Sequence, residues 1–130
     1  MFSKAIFISV IITAVMNFPS PAEAASDDYV FEPVRLELQK GDAIIGVRLI
    51  QKATGKRVAD AVIVRSRIDM APDGMPTMES PLTAEPSSEP GVYSFKTNLP
   101  MAGRWLLSIA AKVQGEPDTV VGKITYTVTP

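Results

Sequence analysis

The chain has 130 residues, with 13 Lys+Arg, 14 Asp+Glu, no Cys and no His. Without Cys or His there is no disulfide, no thiolate nucleophile, no imidazole base and no ordinary zinc or haem site. A net charge of −1 argues against a nucleic-acid binder, which needs a basic face.

Residues 1–24 read as a secretory signal peptide. Lys4 precedes the apolar run Ala5–Met16, and a stretch rich in helix breakers ends in Ala22-Glu23-Ala24, a small-x-small cleavage pattern. The run is shorter than the roughly 20 residues a spanning helix needs, and Pro19 and Pro21 would break a longer one. The other reading is an uncleaved N-terminal anchor. Cleavage after Ala24 leaves residues 25–130 as one periplasmic or secreted domain. That domain must be stable in an oxidising compartment on its core alone, because it has no Cys to cross-link.

Residues 25–29 are expected to form a loose polar tail. A period-2 pattern then takes over. Val34, Leu36 and Leu38 alternate with Arg35 and Glu37, and Ile45, Val47 and Leu49 form the apolar face of a second run. Ala53-Thr54-Gly55-Lys56 reads as a turn. A third run puts Val62, Val64, Ile68 and Met70 on one face and Arg65, Arg67 and Asp69 on the other. Arg65 and Arg67, with Arg48, suggest a small basic stripe on one sheet. Between residues 71 and 90 lie Pro72, Pro76, Pro81, Pro86 and Pro90, which exclude a helix and any central strand. A short edge strand at 80–84 is expected there, and Pro86–Gly91 has strong turn chemistry. Tyr93 and Phe95 alternate with polar neighbours, and Leu99–Gly103 is a turn. Trp105, Leu107, Ile109, Ala111 and Val113 form the longest alternation. After the Gln114–Asp118 turn, Val120, Ile124, Tyr126 and Val128 mark the last strand. Six to seven short strands, each apolar on one face, predict an all-β antiparallel sandwich. A barrel would show the same alternation.

Three features between Ala43 and Trp105 carry a family resemblance. The first is the turn at Thr54-Gly55-Lys56 followed by Ala61-Val62-Ile63-Val64. The second is the Met-Pro stretch Met70–Met78 (MAPDGMPTM). The third is Gly91-Val92-Tyr93 followed by Leu99-Pro100-Met101-Ala102-Gly103-Arg104-Trp105-Leu106. Together they resemble the YtkA-like domain family, related to FixH-like proteins. The resemblance implies an exported immunoglobulin-like β-sandwich linked with copper handling, oxidase assembly or efflux. This chain has no His beside its Met stretch, which departs from some members and weakens a His-assisted copper site.

Four Met follow the expected cleavage point: Met70, Met75, Met78 and Met101. A thioether is a soft, neutral ligand suited to Cu(I) and unsuited to Mg, Ca or Zn. The same side chains can equally plug the end of a core or form a contact surface. An edge strand within 71–90 would reverse the chain and bring Met101 to the same end as Met75. Asp69, Asp73 and Glu79 lack the spacing of a calcium loop, and no Ser has a His to activate it. Trp105 is expected in the core. The sequence therefore points to a non-enzymatic exported accessory protein. Met70, Met75, Met78 and Met101 are the candidate Cu(I) ligands, and a metal-transfer protein is a candidate partner. The alternative is a metal-free interaction module attached to a membrane complex for efflux or oxidase assembly.

Overall fold

The computed structural model describes residues 27–130; the expected signal peptide at residues 1–24 lies outside them. The strands are β1 (Tyr29–Pro33), β2 (Glu37–Gln39), β3 (Gly41–Gln51), β4 (Val62–Met70), β5 (Met75–Ser80), β6 (Thr83–Glu85), β7 (Val92–Leu99), β8 (Gly103–Lys112) and β9 (Thr119–Thr129). A 3-10 turn at Ala71–Asp73 joins β4 to β5. One sheet has the order β1-β3-β7-β6 and the other β2-β9-β8-β4-β5. Every pairing is antiparallel except β2 with β9. The first strand splits between the sheets and the other strands follow the immunoglobulin order, so the fold is an immunoglobulin-like sandwich. Two separate sheets replace the barrel alternative.

Alternation builds the core. Ile45, Val47 and Leu49 of β3 join Trp105, Leu107, Ile109 and Ala111 of β8 and Val120, Ile124, Tyr126 and Val128 of β9 in one buried cluster. Each large side chain so enclosed contributes about 1.5–3 kcal/mol relative to exposure.

The described residues form nine strands rather than six to seven, and the differences have local causes. Tyr29, expected in a loose tail, opens β1 and is buried with Phe31. After a last bond from the Val34 N–H to the Gly46 carbonyl of β3, the chain crosses to the other sheet. Val34 and Leu36 are therefore 44% and 56% exposed, and only Leu38 of that run is buried. A bulge between Ile63 and Arg65 shifts the register of β4 against β8. An extra residue at a bulge reverses the phase of what precedes it. Val62 and Val64 consequently face solvent, and Ile63 packs on the core.

The proline-rich segment holds two edge strands, not one. β5 borders β4, and β6 borders β7 on the other sheet. They run in the same direction, as one descending strand that changes sheets at Pro81-Leu82. Its prolines sit on edges or in connections, where no ladder N–H is missed. Arg48 lies on β3, in the sheet opposite Arg65 and Arg67, so the three arginines do not form one stripe.

Candidate functional site

One end of the sandwich gathers the Met-Pro stretch and the turn before β8. Trp105 is fully buried, and its indole N–H donates to the Met101 carbonyl at 2.9 Å. Gly103 lies between them with φ +142°; a Cβ there would stand 2.5 Å from Asp73 Oδ2 and 2.6 Å from Met70 Cε. Only glycine lets the backbone pass so close. Asp73 then holds the next residue. Its Oδ2 accepts the Arg104 backbone N–H at 2.7 Å and its Oδ1 the Arg104 Nε–H at 2.8 Å, while Arg104 Nη2 donates to the Pro72 carbonyl at 2.6 Å. The Arg104 backbone N–H, then its guanidinium, hold the Asp73 carboxyl below the usual carboxylate range.

A second clamp secures the β4–β5 hairpin. Arg67 donates through Nε to Asp69 Oδ2 at 2.7 Å and through Nη2 to the Pro76 carbonyl at 2.7 Å, and its Nη1 lies 2.9 Å from Glu79 Oε2. Asp69 Oδ1 accepts the Ala71 N–H at 2.9 Å. Burial of Asp69 acts to raise its carboxyl pKa and is the largest single effect. The Arg67 and Ala71 hydrogen bonds, together with nearby positive charge, outweigh it, and the net shift is downward.

The four candidate Met differ in access. Met70 is fully buried in the core, directly across the ladder from Met75. Met75 and Met78 are half-buried and pack against that core. Met101 is 38% exposed. The chain reversal through β5 and β6 does bring Met101 to the Met70 end, as the contacts of Gly103 and Arg104 show. Three sulfurs thus sit in or against the core and one on the surface.

Sequence reasoning missed a second feature. An open cleft of about 950 Å³ crosses the outer face of the first sheet. Gly46, Ile44, Arg48 and Ser94 lie along it, with Val34 at one side and Pro86–Glu89 at the other. Gly46 supplies no side chain, and Val34 fills that space; a Cβ on Gly46 would stand 3.0 Å from Val34 Cγ2. A glycine inside a strand is the one sequence signal that could have pointed here.

The motifs that carry the family resemblance are the contacts that shape these regions. Gly91, at φ +80°, lies against Arg57, and its carbonyl accepts the Leu49 N–H at 3.1 Å. The Tyr93 hydroxyl donates to the Val58 carbonyl at 2.6 Å and accepts the Ala61 N–H at 3.0 Å, which pins the connection before β4.

Among solved structures, the chain is similar to the Lin-41 filamin domain at 18% identity and a TM-score of 0.48, over 76% of this chain and 91% of that one. It is similar to the ZirS C-terminal domain at 16% identity and a TM-score of 0.46, over 100% of this chain and 82% of that one. No curated protein matches it. The YtkA-like family profile matches residues 23–110, well over half of the sequence, and the chain belongs to the YtkA-like family.

Proposed function

We propose that the protein is an exported, non-enzymatic accessory domain that works by binding another protein at a membrane complex. Export rests on the three-part pattern of residues 1–24. The binding role rests on one observation. Val34, Leu36, Ile44, Val62, Val64, Met101 and Val121 are between 38% and 64% exposed, although the core is already filled. Most of them divide between two places: Val34 and Ile44 border the cleft on the first sheet, and Val62, Val64 and Val121 lie on β4 and β9 of the second. Apolar surface grouped on a sheet face or edge is what a partner covers. A photo-crosslinking residue placed in turn at Ile44, Val64 and Val121 in expressing cells tests this. One position should give a discrete adduct; absence of adducts at all three removes the proposal.

A second function is supported by the placement of Met70, Met75 and Met101 at one end of the sandwich, Met70 across the ladder from Met75 and Met101 in the turn that Gly103 packs against Met70. There Met75, Met78 and Met101 would hold Cu(I), with Met70 closing the site from the core side. Thioether donors suit Cu(I) and its transfer to a partner. An anaerobic Cu(I) titration against a chromogenic chelator tests it. A Met75/Met78/Met101 triple Leu variant that competes as well as the parent removes this function and leaves the first untouched.

A further inference from the structure

The binding role leaves open which surface is used, and β3 carries a feature specific to one kind of partner. β1 pairs with β3 only from Gln51 to Val47, and a last bond runs from the Val34 N–H to the Gly46 carbonyl at 2.9 Å. The chain then crosses to the other sheet. In an antiparallel ladder, alternate residues aim their N–H and C=O at the same neighbour. Gly46 faces β1, so Ile44 and Asp42 aim theirs the same way, where no strand of the described chain pairs with them. The Ile44 side chain is 64% exposed beside this gap, and both residues line the 950 Å³ cleft.

An uncovered edge with an apolar side chain is a template for strand pairing, which proteins usually blunt with Lys, Pro or a covering loop. At Ile44 itself no Lys or Pro stands on the edge, and the crossing segment, with Val34, Arg35, Glu37 and Gln39, lines the cleft without pairing to β3 there. Two cations, Arg35 and Arg48, also line the cleft, and neither has a carboxylate within salt-bridge distance among the described residues. The Arg48 Nε–H is buried and unpartnered. The other charges there are Glu37, Asp42 and Glu89. Asp42 accepts from Asn98 at 2.8 Å and Glu89 pairs with Arg57 at 3.2 Å, so both carboxylates already have partners.

We infer that this cleft takes an extended peptide segment of a partner protein, added as a strand along β3 beside the end of β1. The segment pairs its backbone with Ile44 and Asp42, sets a β-branched apolar residue opposite Ile44, and offers a carboxylate to Arg48. Main-chain bonds supply the affinity of such an addition and the alternate side chains its selectivity. The inference rests on the binding role proposed above and narrows it to one edge.

The test uses the full chain, purified from an expressing host, and a synthetic octapeptide of alternating Thr and Val ending in Glu. Amide spectra and hydrogen exchange are followed as the peptide is added to millimolar concentration. Binding should shift the Ile44 and Asp42 amides and slow their exchange at least tenfold. The same peptide N-methylated on alternate residues should not bind. Ile44→Lys, a change at an exposed position, should weaken binding at least tenfold, and Arg48→Gln should remove the preference for a terminal Glu over a terminal Lys. No shift at Ile44 and Asp42, or shifts confined to β5 or to the face bearing Val64 and Val121, overturn the inference. Shifts on that other face would keep the binding role and move its surface, whereas a failed cross-linking experiment removes the role itself.

Discussion

The Asp73 carboxylate grips Arg104 twice, through the backbone N–H at 2.7 Å and through the guanidinium Nε–H at 2.8 Å. This contact ties the 3-10 turn to the start of β8 and depends on the residue between them and the core. Gly103 sits at φ +142° with Asp73 and Met70 against its Cα. Gly103→Ala forces a disfavoured backbone and a clash on both sides. It is expected to cost about 3 kcal/mol, read as the midpoint of denaturant unfolding. An unchanged midpoint would show that this end is free to shift.

The two clamped carboxylates make stability depend on pH in a defined direction. Asp69 and Asp73 both titrate below the usual range when folded. Each is therefore fully stabilising above the unfolded carboxylate pKa of about 4, and that contribution fades as pH falls through the lower folded values. Unfolding measured from pH 6 down to pH 2 should show stability declining on the acid side. The Asp69→Asn/Asp73→Asn double variant should be less stable at pH 6 and show a flatter acid limb. A parallel limb would place the acid sensitivity in other groups.

How much of this was legible in the sequence depended on whether the chain stayed in phase. Ile45, Val47 and Leu49, or Trp105 through Ala111, alternate along unbroken strands, and their buried face follows directly from the pattern. Val62 and Val64 alternate just as well, but Val62 precedes the bulge between Ile63 and Arg65 and Val64 is its extra, unpaired residue, so the pattern names the wrong face. Val34 and Leu36 fail for a different reason: the alternation spans a crossing between sheets. The Met sites were visible as residue types, but their burial was not. Met70 and Met101 look alike in sequence and differ completely in access. The cleft was hidden because it arises from where β1 stops, a tertiary event with only Gly46 as its local trace.

Two buried aromatic groups on neighbouring strands should respond in opposite ways. Trp105 and Tyr126 are cross-strand partners. The Trp105 N–H is satisfied by Met101, whereas the Tyr126 hydroxyl is buried without a partner, and burial pushes its pKa up. Tyr126→Phe removes an unsatisfied group of little volume and should leave stability unchanged or raise it by about 1 kcal/mol. Trp105→Phe loses a hydrogen bond and leaves a void in the core, at a cost of about 3 kcal/mol. Thermal unfolding of both variants compares them directly, and destabilisation by Tyr126→Phe would mean that its hydroxyl is bonded.

The Met residues allow stability and metal binding to be separated. Met70 is enclosed in the core, so Met70→Ala should cost about 3 kcal/mol by leaving a cavity, and Met70→Leu, which keeps the volume, less than about 1.5 kcal/mol. Met101 is 38% exposed, so Met101→Leu should alter stability by no more than about 0.5 kcal/mol. If the thioethers only fill space, neither Leu variant changes Cu(I) competition. If the end of the sandwich holds Cu(I), Met101→Leu weakens that competition at least tenfold at unchanged stability, because an accessible donor has been lost. Met70→Leu then tests whether the core sulfur takes part. Loss of competition without loss of stability places it among the ligands, and retention confines the site to Met75, Met78 and Met101.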